Sequence, residues 1–485
     1  ADVLPPERCS FVLGNPPFIG KKEQTASQKA AFEPVMGHIK GFGVLDFVSA
    51  WYVKAVRYMH QAGDGEADCG GAPSVAFVST NSITQGEQVG VLWGWLLGQG
   101  VRIHFAHRTF NWSNEAKGKA AVHCVIIGFG LNDRADKVIY EYEDIKGQPL
   151  AVPATRINPY LVDAPDVVLP RRSTPMCAVP EIGIGSQPID DGNYLFTPRN
   201  RDAFVAKEPA AAKWFRRWLG AEEFLNGHER WCLWLGDCTP AELRAMPEAM
   251  KRMQAVQLFR SQSKRPQTQK AAASPAHFGT ELIPQSPYLL LPKVSSERRK
   301  FIPFGFEQPD TFCSDLVFML PNATLFHFGI LSSTMHNAWV RTTCGRLKSD
   351  YRYSAAIVYN NYPWPFCDEK GPSAMDGKVQ TAIETAAQAV LDARAQFATS
   401  SLADLYDPLT MPPALLKAHQ KLDAAVDKAY EACGGKKTYR NDAERVAFLF
   451  DLYQRQTSLL PVGKAAGKAK PSGSGAGRSR KAASA

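Results

Sequence analysis

Apolar positions in the first 145 residues alternate between short and long periods. Ser10–Gly14 (SFVLG) reads as a short strand running into a Pro-Pro turn. Across Gly41–His60, the residues Val44, Val48, Trp51, Tyr52, Ala55, Val56 and Met59 recur at helical spacing, which predicts one amphipathic helix. Next come a strand over Ser74–Thr80, a helix near Gln88–Leu97 and strands over Val101–Ala106, Ala121–Phe129 and Val138–Tyr142. Strands alternating with helices and closing on a strand pair predict an open α/β sheet. A doubly wound sheet normally places several βα units before its central turn, whereas here the first strand of the chain already leads into that turn. The region therefore reads as the second half of a domain, over 1–148.

Between 149 and 368 the pattern turns Pro- and Arg-rich, with strand-like runs at Pro287–Pro292, Phe301–Phe306 and Ala355–Tyr359. Helical spacing is confined to Ala210–Leu219 and Pro240–Leu258, so a mixed, β-leaning domain is expected. Three helices are expected over 369–460. Leu415, Leu416, Leu422, Val426 and Tyr430 mark the middle one, and Val446, Phe448, Leu449, Leu452 and Tyr453 the last. Residues 461–485 are almost all Gly, Ala, Ser, Lys and Arg, the composition of a disordered basic tail.

Composition narrows the function classes. With 45% apolar and 21% charged residues the chain is ordinary for a globular protein, and it has no apolar run of the roughly 18 residues that a membrane span needs. No basic segment followed by an apolar one opens the sequence, so a cytoplasmic protein with no membrane partner is expected. The ten cysteines are scattered without CxxC pairs, which points to reduced thiols and no metal site. The net charge of +9 is unevenly held. Lys251–Lys300 contains ten Lys or Arg against Glu281 and Glu297, and the tail carries six bases and no acid. Such concentration suits a surface that meets a polyanion.

The chemistry lies in Asn15-Pro16-Pro17-Phe18. Methylating an aromatic amine requires drawing the nitrogen lone pair out of conjugation, hence acceptors aimed at both amino protons. The Asn15 amide oxygen supplies one and the Pro16 carbonyl, held by the rigid Pro16-Pro17 backbone, the other. Phe18 offers a flat face for a base taken out of the duplex.

With LGNPPFIGKK, GVLDFVSAWYVKA, FVSTNSITQGEQ and AHRTFNWSNEAKGKAAVHCVIIGF, the chain resembles the amino-group DNA methyltransferases, and specifically the MmeI-like type IIL restriction-modification enzymes. GSQPIDDGNYLF, SSERRKFIPFGF and GRLKSDYRYSAAIVYNNYPWP extend the likeness over all but the tail. It implies the second half of a Rossmann-like class I methyltransferase sheet, then a target recognition domain and a C-terminal helical bundle. It also implies adenine-N6 methylation, with Asn15 and Pro16 holding the amine, Phe18 stacking on adenine, and Phe110 or Trp112 forming the opposite wall. Asn81, at a strand end, is a weaker candidate.

The family's S-adenosylmethionine site rests on a Gly-rich turn ahead of NPPF, and its nuclease lies further upstream; neither is found in these residues. Gly183 and Gly185 (EIGIGS) lack the preceding strand and following helix of a donor loop. Asp2 reads as a remnant of the donor site. A separate polypeptide carrying the donor-binding and nuclease half is the implied partner beside duplex DNA, and Trp51 and Trp93 are expected to be left uncovered without it.

For target reading, Arg298, Arg299 and Lys300 suit phosphates. Arg346, Lys348, Asp350 and Arg352 stand at alternate positions, so an extended backbone would aim all four one way as a base-reading edge. The competing reading is a non-catalytic sequence-specific DNA-binding module with a vestigial NPPF turn.

Overall fold

A computed structural model of the chain describes residues 4–62, 72–112, 122–366 and 375–459. Asp2 and the basic tail lie outside them, as do residues 113–121.

The first region comprises β1 (Phe11–Gly14), α1 (Ala26–Met36), α2 (Ser49–His60), β2 (Ser74–Thr80), α3 (Gly86–Gly98), β3 (Arg102–Trp112), β4 (Val122–Gly130), β5 (Lys137–Glu141) and β6 (Leu150–Ala154). The strands form one sheet in the order β1-β2-β4-β3-β5-β6. β1 is parallel to β2 and β3 to β5, while β4 and β6 run against their neighbours. The carboxyl ends of β1, β2, β3 and β5 therefore share one edge, the side on which open α/β sheets bind ligands. Val75, Phe77 and Ser79 of β2 face Tyr52 of α2, whose hydroxyl hydrogen-bonds the Ser79 Oγ at 2.8 Å. β1 has no partner on its outer side among the described residues, and its Phe11 and Leu13 are 69% and 76% exposed.

Two expectations for this region are corrected. The helix predicted from Gly41 starts only at Ser49, because Gly41 sits at φ 86° and Phe42–Val44 form a separate 3-10 turn. Trp93 is not uncovered: it is fully buried, and its Nε1 donates to the Ile83 carbonyl at 2.9 Å. The cover comes from residues 157–169, which lie so close on α3 that a Cβ on Gly90 would stand 2.9 Å from the Leu169 carbonyl oxygen. Trp51 is half-buried, edge-on to Phe47 at 5.4 Å.

The middle region holds three small sheets. One pairs Thr311–Cys313, Phe215–Leu219, Trp231–Leu233 and Leu195–Phe196; another pairs Gly305–Glu307, Tyr288–Pro292, Val317–Pro321 and Gly183–Ile184. The third pairs Val294–Ser295, Asp350–Arg352 and Gly345–Leu347. Ala210–Leu219 is not one helix: a 3-10 segment, Pro209–Trp214, gives way to the strand Phe215–Leu219, which gains a partner on both sides. Tertiary pairing overrides the alanines' preference. Ala355–Tyr359 is a π-helical turn capped by the Ser354 hydroxyl rather than a strand; a wholly apolar run does not reveal its period. Of Phe301–Phe306 only the end enters a strand.

Arg260 anchors the middle region. It is fully buried, and its guanidinium donates to the carbonyls of Pro188, Ile189, Ala271, Ser274 and His277 at 2.8–3.3 Å. The three expected C-terminal helices are Gly377–Ala395, Pro413–Glu431 and Asp442–Leu459, joined by a short turn at Leu402–Leu405. Leu415, Leu422, Val426, Tyr430, Val446, Leu449, Leu452 and Tyr453 are buried as the spacing requires. No helix among the described residues is long and apolar enough to cross a membrane.

Candidate active site and nucleic-acid interface

β1 delivers the Asn15–Phe18 turn to the carboxyl edge of the sheet. Pro16 is buried, Asn15 and Pro17 are exposed and Phe18 is half-buried. The Asn15 amide makes no hydrogen bond to another described residue, and Phe18 has no aromatic partner among them. The backbone just past the turn is tightly held. The Asp46 carboxylate accepts from the Lys21 N–H at 2.9 Å and the Ser82 hydroxyl at 2.5 Å; the Asp46 N–H donates to Gln88, and the Phe47 N–H to the Ile19 carbonyl. Asp46, which sequence reasoning does not single out, thus ties the segment after the Asn15–Phe18 turn to the end of β2 with both carboxylate oxygens. Its only signal is its place in GVLDFVSAWYVKA.

Beside the turn lies a hollow of about 630 Å³, lined by Phe11, Val12, Leu13, Asn15, Trp51, Lys54, Tyr58 and Phe77 among others. It is an apolar wall without a carboxylate. A sulfonium donor needs acidic partners for its ribose and a polar cradle for its amino-acid part, so the described residues do not by themselves fit the whole donor.

Phe110 stands on the same edge, toward the end of β3, three strand spacings or about 14 Å from β1. Its ring stacks on Tyr142 at 5.4 Å, and His107 stacks on Tyr140 at 4.2 Å and hydrogen-bonds the Tyr142 hydroxyl at 2.8 Å. Burial pulls the His107 pKa down. The Trp112 side chain lies outside the described residues. Asn81 is half-buried, with its amide 3.5 Å from the Thr109 Oγ1.

The recognition cations are differently placed. Arg298 is exposed and lies 3.7 Å from Asp407 of the C-terminal region. Arg299 is half-buried; its buried Nε has no partner, burial lowers its pKa, and Asp350 and Asp407 oppose that shift. Lys300 is exposed, its Nζ 5.4 Å from the Phe301 ring centre.

The alternating row at Arg346–Arg352 does not exist. Gly345–Leu347 and Asp350–Arg352 form a hairpin with Lys348 in the turn at φ 56°. Register puts Arg346 opposite Tyr351 and Arg352 opposite Gly345, so Arg346 and Arg352 point to opposite faces. A two-residue reversal inverts the alternation, and Lys-Ser carries none of the Asn-Gly signal that would have announced it. Arg346 lies over the Tyr351 ring at 4.0 Å.

An open α/β sheet with this turn on its carboxyl edge, followed by a mixed domain and a helical bundle, is the architecture of an amino-methyltransferase joined to a target recognition domain. Three family models match in succession: the MmeI DNA-methyltransferase domain over residues 2–141, the MmeI target recognition domain over 163–366 and the MmeI C-terminal domain over 375–461. The chain belongs to the MmeI family. It is similar to DNA methyltransferase A of Bacillus subtilis (strain 168), 36% identical over 448 residues, which are 92% of this chain and 48% of that protein. It is also 49% identical to the type IIL restriction-modification enzyme MmeI solved in complex with DNA, with a TM-score of 0.82 over 94% of this chain and 58% of that one. The chain thus spans about half the length of these relatives.

Proposed function

We propose that this chain supplies the target-base and target-recognition part of an enzyme that methylates the exocyclic amine of adenine in duplex DNA, within a restriction-modification system in the cytoplasm. The observation that carries the reading is the Asn15–Phe18 turn: an exposed amide and an aromatic face, neither with a side-chain partner among the described residues, beside a rigid carbonyl at the ligand edge of the sheet. Asn15 Oδ1 and the Pro16 carbonyl accept hydrogen bonds from the two amino N–H groups, which turns the nitrogen lone pair outward; as the N–CH3 bond forms the donor's S–CH3 bond breaks to leave a thioether, and the methylated amine then loses one proton to solvent. Phe18 stacks on the extruded base and offsets part of the few kcal/mol lost on unstacking. S-adenosylmethionine would supply the electrophilic methyl group.

The hollow without a carboxylate supports one wall of a donor site. The exposed edge of β1 supports pairing with a donor-binding segment, on this chain's own polypeptide or a separate one. Calorimetry on the 485-residue chain is expected to show no measurable S-adenosylmethionine binding. Adding the donor-binding half of a relative is expected to restore binding and transfer of labelled methyl groups to DNA. Tight donor binding by the chain alone would place the donor site after Phe18 and overturn this division of labour. Specific DNA binding with no methyl transfer after complementation would leave the non-catalytic module as the correct reading.

A further inference from the structure

Between the sheet and the recognition hairpin lies a second cavity of about 280 Å³, distinct from the hollow beside Asn15. Both regions build it: Arg108 and Thr109 from β3, Glu141 and Tyr142 from the end of β5, Thr342, and Arg346 from the hairpin. The two regions meet beside it without side chains, since a Cβ on Gly86, at φ 61°, would stand 3.1 Å from the Gly345 Cα. The cavity opens on the same carboxyl edge as Asn15. Tyr142, on its wall, is the residue that stacks on Phe110.

Three arginines and one carboxylate line the cleft. Arg341 is committed to structure, because it pairs with Asp442 at 2.7–2.8 Å and donates to the Lys300 carbonyl at 2.9 Å. The other two each make a single hydrogen bond among the described residues, and Arg346 also lies over the Tyr351 ring. Arg108 donates once, to Glu141 at 3.1 Å, and is one-third exposed. Arg346 donates to the Ser349 carbonyl at 2.7 Å, lies 3.8 Å from Glu297, and keeps a buried Nε with no partner. A buried cationic N–H left unpaired is unfavourable unless an acceptor arrives.

We propose that this cleft seats a backbone phosphate of the target strand, gripped from the catalytic side by Arg108 and from the recognition side by Arg346. The proposal rests on the DNA-methyltransferase reading and deepens it. The cleft is too small for a duplex but large enough for one sugar-phosphate unit. Planar guanidinium forks match phosphate oxygens bidentately, and the Thr109 and Thr342 hydroxyls stand beside them as further donors. A phosphate held from both sides would fix the target strand relative to the base pocket only when the hairpin is in register with the sheet.

The test uses the full chain and a labelled duplex that it enriches from a random-sequence pool, with affinity followed against salt. Arg108→Gln and Arg346→Gln are each expected to make the slope of log K against log salt shallower by about 0.9, the value for one phosphate. Arg108→Lys should restore the slope. Glu141→Gln breaks the same ion pair yet frees Arg108, and is expected to raise affinity roughly threefold. If Arg108 serves only to hold Glu141, Arg108→Gln and Glu141→Gln will weaken binding alike, which overturns the proposal; unchanged slopes in both arginine variants overturn it as well. Equal melting temperatures guard against misfolding. A wild-type chain that selects no duplex overturns the DNA reading and the cleft together, an outcome distinct from selection with unaltered slopes.

Discussion

The proposed base-handling turn and the proposed recognition loops are built in opposite ways. Among the described residues the Asn15 amide has no hydrogen-bond partner and Phe18 no aromatic one, while the backbone after them is clamped by Asp46. Arg298, Arg299 and Arg346 already face carboxylates: Asp407, Asp350 and Glu297. An acceptor that must receive hydrogen bonds from a substrate's amino group loses nothing by waiting empty at an exposed edge, where water serves it. A guanidinium that must keep one direction gains orientation from a carboxylate, and DNA then exchanges one anion for another. The first site is poised by its backbone, the second by its charges. Substitutions should therefore act on chemistry in the first and on affinity in the second.

The sharpest break is Asn15→Ala. In the complemented enzyme it is expected to lower methyl transfer by about a thousandfold or more while DNA affinity stays within about tenfold, since the lost acceptor acts on the flipped amine. Retained turnover would end the proposed mechanism. Asp46→Ala should come next, with transfer down about a hundredfold and binding again little changed, because the turn loses its anchor of two charge-assisted bonds. Rapid-quench turnover beside gel-shift affinity separates the two.

Acid should strike the recognition side. His336 is fully buried, bonded to the Leu331 carbonyl and the Tyr353 hydroxyl, and burial pushes its pKa down to about 3, with His327 at about 4. Both fold neutral, whereas the unfolded chain protonates near the ordinary histidine value of about 6.5. Their contribution is thus complete above that pH and falls away as pH drops toward the folded values, by up to about 1.4 kcal/mol per pH unit for each. Urea midpoints against pH should show it, and His336→Gln should flatten the acid limb. The smallest effect is expected for Asp407→Asn, which removes the carboxylate facing Arg298 and Arg299. Affinity for DNA should rise about twofold and its salt slope should keep its value.

Much of the catalytic region was legible because its information is local. Period-two runs fell within a residue or two of β1, β2, β4 and β5, and the turn declared itself through two prolines and an asparagine. The recognition region was legible in charge but not in direction. Lys348 at positive φ has no local signature, and one partner of Phe215–Leu219, Thr311–Cys313, lies far along the sequence, so neither the hairpin nor that strand can be read from spacing. Asp46 shows the same limit: its importance comes from meeting Lys21 and Ser82, residues 25 and 36 positions away.

Arg260 holds the middle domain by main-chain carbonyls at Pro188, Ile189, Ala271, Ser274 and His277. A carbonyl is present whatever side chain its residue carries. The anchor therefore places no demand on which amino acids occupy those five positions beyond the path of the backbone. A domain whose work is to discriminate between DNA sequences can in this way exchange the residues of its loops across generations while the joint beneath them stays the same.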